Sequence, residues 1–216
     1  MATTQELRRA VWRLSTTAAA DLNIVWRRAS NAERTLAVLE ETLPALIDAY
    51  GNASGTLAAD WYDERRAQAA VRRQFQANPA GLRKGGGGAA LAGWAVGPLF
   101  SESPDLALAQ ERVAGGLQLR IANTARDTIT EASLADPSAQ GWQRESSGGC
   151  AFCEMLASRG EVYSEESADF AAHDHCQCVA VPAFEGEPRP VQPYTPSARN
   201  ITDADRTRVR AYIADQ

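Results

Sequence analysis

Lysine is almost absent from this 216-residue chain: Lys84 is the only one among its 22 basic residues, and arginine supplies the rest. The bias points to a GC-rich coding sequence rather than to a chemistry. Basic charge is not in excess either, since the net charge is −5, which excludes a generic polyanion binder. The local basic patches Arg72-Arg73 and Arg206/Arg208/Arg210 read as solvated helix faces. No long apolar run exists. The longest uncharged stretch, Gly85 to Ser101, carries too many glycines for a membrane span. The start of the chain shows no basic-then-apolar-then-cleavage pattern, so no secretory signal is expected and a reducing cytoplasm is the expected site of synthesis. The glycine-rich stretch Asn78 to Gly88 lacks the glycine-lysine-serine/threonine ending of a phosphate-binding loop and has no strand before it, so it reads as a flexible linker. Cysteine and histidine are missing everywhere except between Cys150 and Cys178.

The composition that remains, 44% hydrophobic and 23% charged, is enough for a substantial core. The first part of the chain reads as helices. Thr3 and Glu6 form a capping box, followed by an apolar stripe of Leu7, Val11, Leu14, Ala18, Leu22 and Val25. Ser30 and Glu33 predict a second start, with Leu36, Leu39, Leu43, Leu46 or Ile47, and Tyr50 behind it and Pro44 as a kink. Gly51 and Asn52 predict a break, and a third helix should carry Leu57, Trp61, Val71 and Phe75. A short apolar helix around Leu91 to Val96 closes at Gly97-Pro98. A long one begins at Ser103-Pro104 and carries Val113, Leu117, Ile121 and Ala125. The segment Asp136 to Trp142 reads as a loop. The expected fold is mainly α: a helical bundle over residues 1–135 (linker about 78–88), a small C-terminal α/β zinc-binding module over 136–183, and a proline-rich extended tail with a short terminal helix over 184–216.

All four cysteines and both histidines fall in one window. Cys150 and Cys153 form a C-x2-C pair after Ser146-Ser147-Gly148-Gly149, at the start of a helix of one to two turns that Gly160 should stop. The second half, His173 to Pro182, predicts a strand from Cys176 to Val181, with Cys176 and Cys178 on one face. Thiolates and imidazoles converging from two short segments are the usual makings of a tetrahedral zinc site. Six candidates compete for four positions: Cys150, Cys153, His173 and one of Cys176 and Cys178 are preferred, with His175 as a spare. A thioredoxin-like pair would leave the second cluster unexplained. A deaminase would need H-x-E before its cysteine pair, and here the order is reversed. If a metal takes one histidine and crowds the other, no free imidazole remains for a hydrolytic triad.

A tryptophan, a C-x2-C, "LASRGEVY", an acidic spacer, H-x-x-C-x-C and a strand ending in proline resemble the C-terminal module of phage Mu-F-like minor head proteins, in the short form of actinobacterial phages. The residues that carry this are Trp142, Cys150, Cys153, Leu156, Gly160, Tyr163, His173, Cys176, Cys178 and Pro182, supported by "LAADWYDERRA" and "ANTARDTITEA". The similarity spans about residues 1–183, with the specific motif in 142–182. It implies a structural minor capsid protein of a tailed phage, made in the host cytoplasm and kept in the virion. There it would sit inside the head near the portal vertex, with portal and capsid or scaffold proteins as partners and no membrane or small-molecule substrate. The implied cofactor is zinc, on Cys150, Cys153, His173, Cys176 and Cys178, with no catalytic residue. Two alternatives accompany it: a capsid maturation protease, because such modules are sometimes fused to proteases, and a DNA packaging or ejection protein, for which the arginine clusters speak.

Overall fold

A computed structural model describes residues 2–27, 31–82, 87–158, 160, 162–164, 169–185 and 207. Four helices come first: α1 (Thr4–Trp26), α2 (Ala32–Gln68), α3 (Gly88–Val96), which runs into a 3-10 turn at Gly97–Phe100, and α4 (Leu106–Ala135). A small second part follows with β1 (Gly141–Glu145), α5 (Ala151–Ser158) and β2 (Val179–Ala183). The fold is therefore mainly helical with a small mixed α/β C-terminal part, as the sequence predicts.

Helix α1 starts at the expected capping box, with Thr3 and Glu6 satisfying each other's backbone N–H groups. Its stripe buries Leu7, Val11, Ala18, Leu22 and Trp26, each large apolar side chain contributing about 1.5–3 kcal/mol. Helix α2 is the main correction. Gly51 and Asn52 do not break it; one helix of 37 residues runs through them and through Pro44. The reason is tertiary. A Cβ on Gly51 would stand 2.7 Å from Leu82 Cδ2 and 3.2 Å from Thr124 Oγ1, and one on Gly55 would stand 3.2 Å from Thr124 Cγ2. The glycines permit α4 to approach closely, and packing offsets their poor helix propensity. Leu57 and Trp61 thus belong to α2, while Val71 and Phe75 lie outside any helix.

Two helix starts also differ from expectation. Asn31, not Ser30, caps α2 by accepting from Arg34 N, and Asp105, rather than Ser103 with Pro104, caps α4 by accepting from Leu108 N. The loop expected at Asp136 to Trp142 ends early, because Gly141 and Trp142 open β1. Strands β1 and β2 pair antiparallel, with Gly141 opposite Ala183 and Glu145 opposite Val179. Cys176 and Cys178 therefore precede β2 instead of lying on it. Of the linker expected at 78–88, residues 83–86 lie outside the described residues, whereas Ala80 is buried with its N–H donating to Thr128 Oγ1 at 2.9 Å and Gly88 opens α3. The tail at 186–206 and 208–216 also lies outside the described residues.

The hydrophobic interior forms two clusters. One joins Leu22, Leu39, Leu43, Ile47, Leu91, Val96, Val113 and Leu117 at the α3 end of the bundle. The other joins Leu7, Val11, Tyr62 and Ile129 of the helices to Trp142, Cys153, Cys176, Cys178 and Val179. The cysteine-bearing segment is thus packed on the bundle through shared core.

Candidate metal centre

Trp142 organises the ground beneath the cysteines. It is 1% exposed, exchanges both backbone hydrogen bonds with Tyr163 (2.9 and 2.8 Å), and stacks on the Tyr163 ring at 4.6 Å. Phe170 closes its other approach at 5.7 Å. From β1 the chain turns through Gly148 and Gly149, both at positive φ (79° and 78°), which L side chains rarely adopt. Gly149 N donates to Glu154 Oε1 at 3.0 Å, and Glu154 N to Cys150 O at 2.9 Å, so the turn delivers Cys150 to the mouth of α5 and Cys153 to its buried side.

The return segment brings the other donors. His173 Nδ1 lies 2.7 Å from Asp174 O, so a proton on Nδ1 leaves the Nε2 lone pair facing Cys153 Sγ at 3.5 Å. Cys153 Sγ is also 3.9 Å from Cys176 Sγ. Two triads result, Cys150–Cys153–His173 and Cys153–Cys176–Cys178, each with all ligand atoms within 4.8 Å of one another. Cys153 belongs to both. The cluster is a Cys/His set geometrically compatible with metal coordination. His175 is in neither triad: it sits at positive φ, and its Nε2 would be 2.8 Å from a Cβ on Gly115 of α4. No cysteine forms a disulfide.

The four thiols polarise one another through hydrogen bonds and burial. Hydrogen bonding from Cys176, aided by the Ser147 backbone and the Ser146 hydroxyl, pulls Cys178 down to about 4. Burial pushes Cys153 up to about 11, and the hydrogen bond to Cys178 together with burial raises Cys176. Backbone hydrogen bonding at Cys153 lowers Cys150, and the Asp174 carbonyl raises His173. The cluster thus favours thiolate at Cys178 beside thiols that a metal would deprotonate.

The helical body grips this segment by its backbone. Arg8 of α1 donates to Gln177 O at 3.1 Å and to Ser146 O at 3.0 Å. Gln118 of α4 donates to Cys176 O at 3.3 Å, and Arg126 donates to Cys178 O at 3.0 Å and to Cys176 O at 2.7 Å. Three successive carbonyls are thus held from two helices. These residues escaped the sequence reading. The signal that could have found Arg126 is its register, since it falls in step with Ala122 and Ile129 on a buried face.

Fold and site together define a helical protein with a packed C-terminal cysteine/histidine segment. The chain belongs to the family described as VG15 protein, which matches residues 1–201. No curated protein and no solved structure matches it. Among the described residues no helix is long and apolar enough to cross a membrane.

Proposed function

We propose that the chain is a structural minor capsid protein of a tailed phage, retained in the head near the portal vertex, whose C-terminal segment is fastened by one structural zinc ion. The observation that carries the zinc is the spacing of the donor atoms. An ion with Zn–S of about 2.3 Å and Zn–N of about 2.0 Å sets tetrahedral edges of roughly 3.8 Å between sulfurs and roughly 3.5 Å between sulfur and nitrogen. The Cys153–Cys176 and Cys153–His173 separations are 3.9 and 3.5 Å. Cys153, Cys176 and Cys178 are buried, Cys150 is half-buried and His173 is exposed. The donors come from both ends of the window, which suits a site that supplies folding free energy rather than chemistry. Cys150, Cys153, His173, Cys176 and Cys178 would hold the ion, four at a time.

The placement in the virion is supported by the resemblance to Mu-F-like minor head proteins across Trp142 to Pro182. Portal and capsid or scaffold proteins are the partners that this resemblance implies. The test is co-expression with the portal and major capsid proteins, followed by purification of the assembled heads. The chain should co-purify with the heads, carry one zinc, and leave the capsid protein at full length. Its absence from the heads would overturn the placement. A capsid protein shortened only when the chain is present would favour the maturation protease.

A further inference from the structure

Two guanidinium groups are buried next to the cysteine segment. Arg126 is 2% exposed and Arg144 is 8% exposed. Both lie over the same ring, with Cζ 5.0 Å and 3.8 Å from the centroid of Phe170. Their hydrogen bonds go to neutral acceptors: Arg126 to Asn123 Oδ1 and the Cys176 and Cys178 carbonyls, Arg144 to Ala171 O. Among the described residues neither forms an ion pair like Arg8–Glu145 or Arg66–Asp136; the negative charge facing Arg126 comes first from the Cys176 and Cys178 sulfurs and then from its chain neighbour Asp127. Buried charges are normally paired or serve a metal.

A divalent ion bound by three or four thiolates is a net anion, and Cys176 and Cys178 are the residues whose carbonyls Arg126 holds. We propose that Arg126 is the positioning residue of this metal centre. Its two N–H groups fix the C-x-C backbone so that both sulfurs face Cys153, and its charge offsets the anionic thiolate complex, with Arg144 adding to the same positive field across Phe170. The inference rests on the cluster's being a metal site. It adds that the site is completed from α4, some fifty residues upstream in the chain.

The Arg126→Gln and Arg126→Lys variants of the full chain test this. Each is titrated with zinc against a chromogenic chelator, and its melting temperature is measured with and without bound zinc. Arg126→Gln is expected to weaken zinc about 10–100-fold, the range typical of groups that orient metal ligands, and to shrink the melting-temperature gain that zinc confers. Arg126→Lys should recover part of that affinity, because it keeps the charge but lacks the planar fork whose Nε and Nη2 reach the two carbonyls separately. A role in packing alone would lower the melting temperature equally with and without zinc, and that result, or Arg126→Gln binding zinc as tightly as the parent, overturns the proposal. If Arg126→Gln does not fold, Arg126→Lys decides: parental affinity in it excludes the planar guanidinium fork as the positioning element and overturns the proposal. A parent chain that binds no zinc at all overturns the metal reading itself, and this inference with it.

Discussion

Arg66 Nε donates to Asp136 Oδ2 at 2.8 Å, and the two side chains are 9% and 0% exposed. The pair joins the last turn of α2 to the residue that ends α4. The Tyr62 hydroxyl lies 3.3 Å from the same oxygen, Ser138 N donates to Asp136 Oδ1 at 2.9 Å, and a second nitrogen of Arg66 donates to Arg73 O. One carboxylate thus gathers the exit of α2, the end of α4 and the approach to β1.

Breaking that pair from either side leaves a buried charge without its partner. Arg66→Ala and Asp136→Ala should each cost about 3–5 kcal/mol in urea unfolding. The double variant should lose clearly less than the sum, because the second change removes the stranded charge. Additive losses would mean that the two groups are not coupled.

Gly141 stands at φ 136°, and a Cβ there would lie 2.2 Å from the Tyr163 carbonyl oxygen. Backbone cannot swing aside as a side-chain end can, so Gly141→Ala must open the Trp142–Tyr163 bridge. A loss of roughly 2 kcal/mol or more is expected, together with a changed near-ultraviolet signal from Trp142. Gly88→Ala should behave similarly against the Pro44 backbone at 2.8 Å. Gly116→Ala meets only the movable end of Leu91 and should cost less despite its 2.3 Å approach.

Cys153 is common to both donor triads. Cys153→Ser should therefore abolish zinc retention, whereas Cys150→Ser and Cys178→Ser each leave one triad intact. Zinc measured per chain after gel filtration separates them, and equal losses in all three variants would show that both triads are needed at once. His175→Ala should retain the parental zinc content. Chelation should loosen the segment from β1 to β2 while most of the helical circular dichroism persists.

The Tyr50 hydroxyl donates to Asp21 Oδ2 at 2.5 Å, linking α2 to α1. That hydrogen bond, more than burial or the charge of Asp21, raises the Tyr50 pKa in the folded chain. A raised folded-state value means that the stabilisation is fully present below the unfolded phenol's value of about 10 and fades as pH climbs through the folded one. Tyr50→Phe should accordingly lower the melting temperature at neutral pH, and the gap from the parent should narrow at strongly alkaline pH. A gap that stays constant into alkali would exclude the phenol as its source.

What a helix needs locally could be read without the fold. The Thr3–Glu6 capping box and the Leu7–Val11–Ala18–Leu22 stripe depend on residues three and four apart, so the chain itself carries the whole signal. The same holds for the C-x2-C at the mouth of α5, where the glycine turn and the cysteine spacing are contiguous. The concentration of all thiols and imidazoles in one window already announced a metal-compatible cluster.

Distance in the chain set the limit. Gly51 reads as a helix breaker until Thr124 and Leu82 close over it. The short β1 carries little alternation of its own and exists because β2 and Tyr163 pair with it from either side. Which sulfurs share a neighbour, and that Arg8, Gln118 and Arg126 hold the backbone between them, depends on contacts spanning 50 to 169 positions. Sequence alone determined the cap and apolar stripe of α1 and the inventory of thiols and imidazoles, because both arise from near neighbours. Tertiary structure decided the continuity of α2 and the geometry of the cluster, because only packing brings together groups that no local periodicity connects.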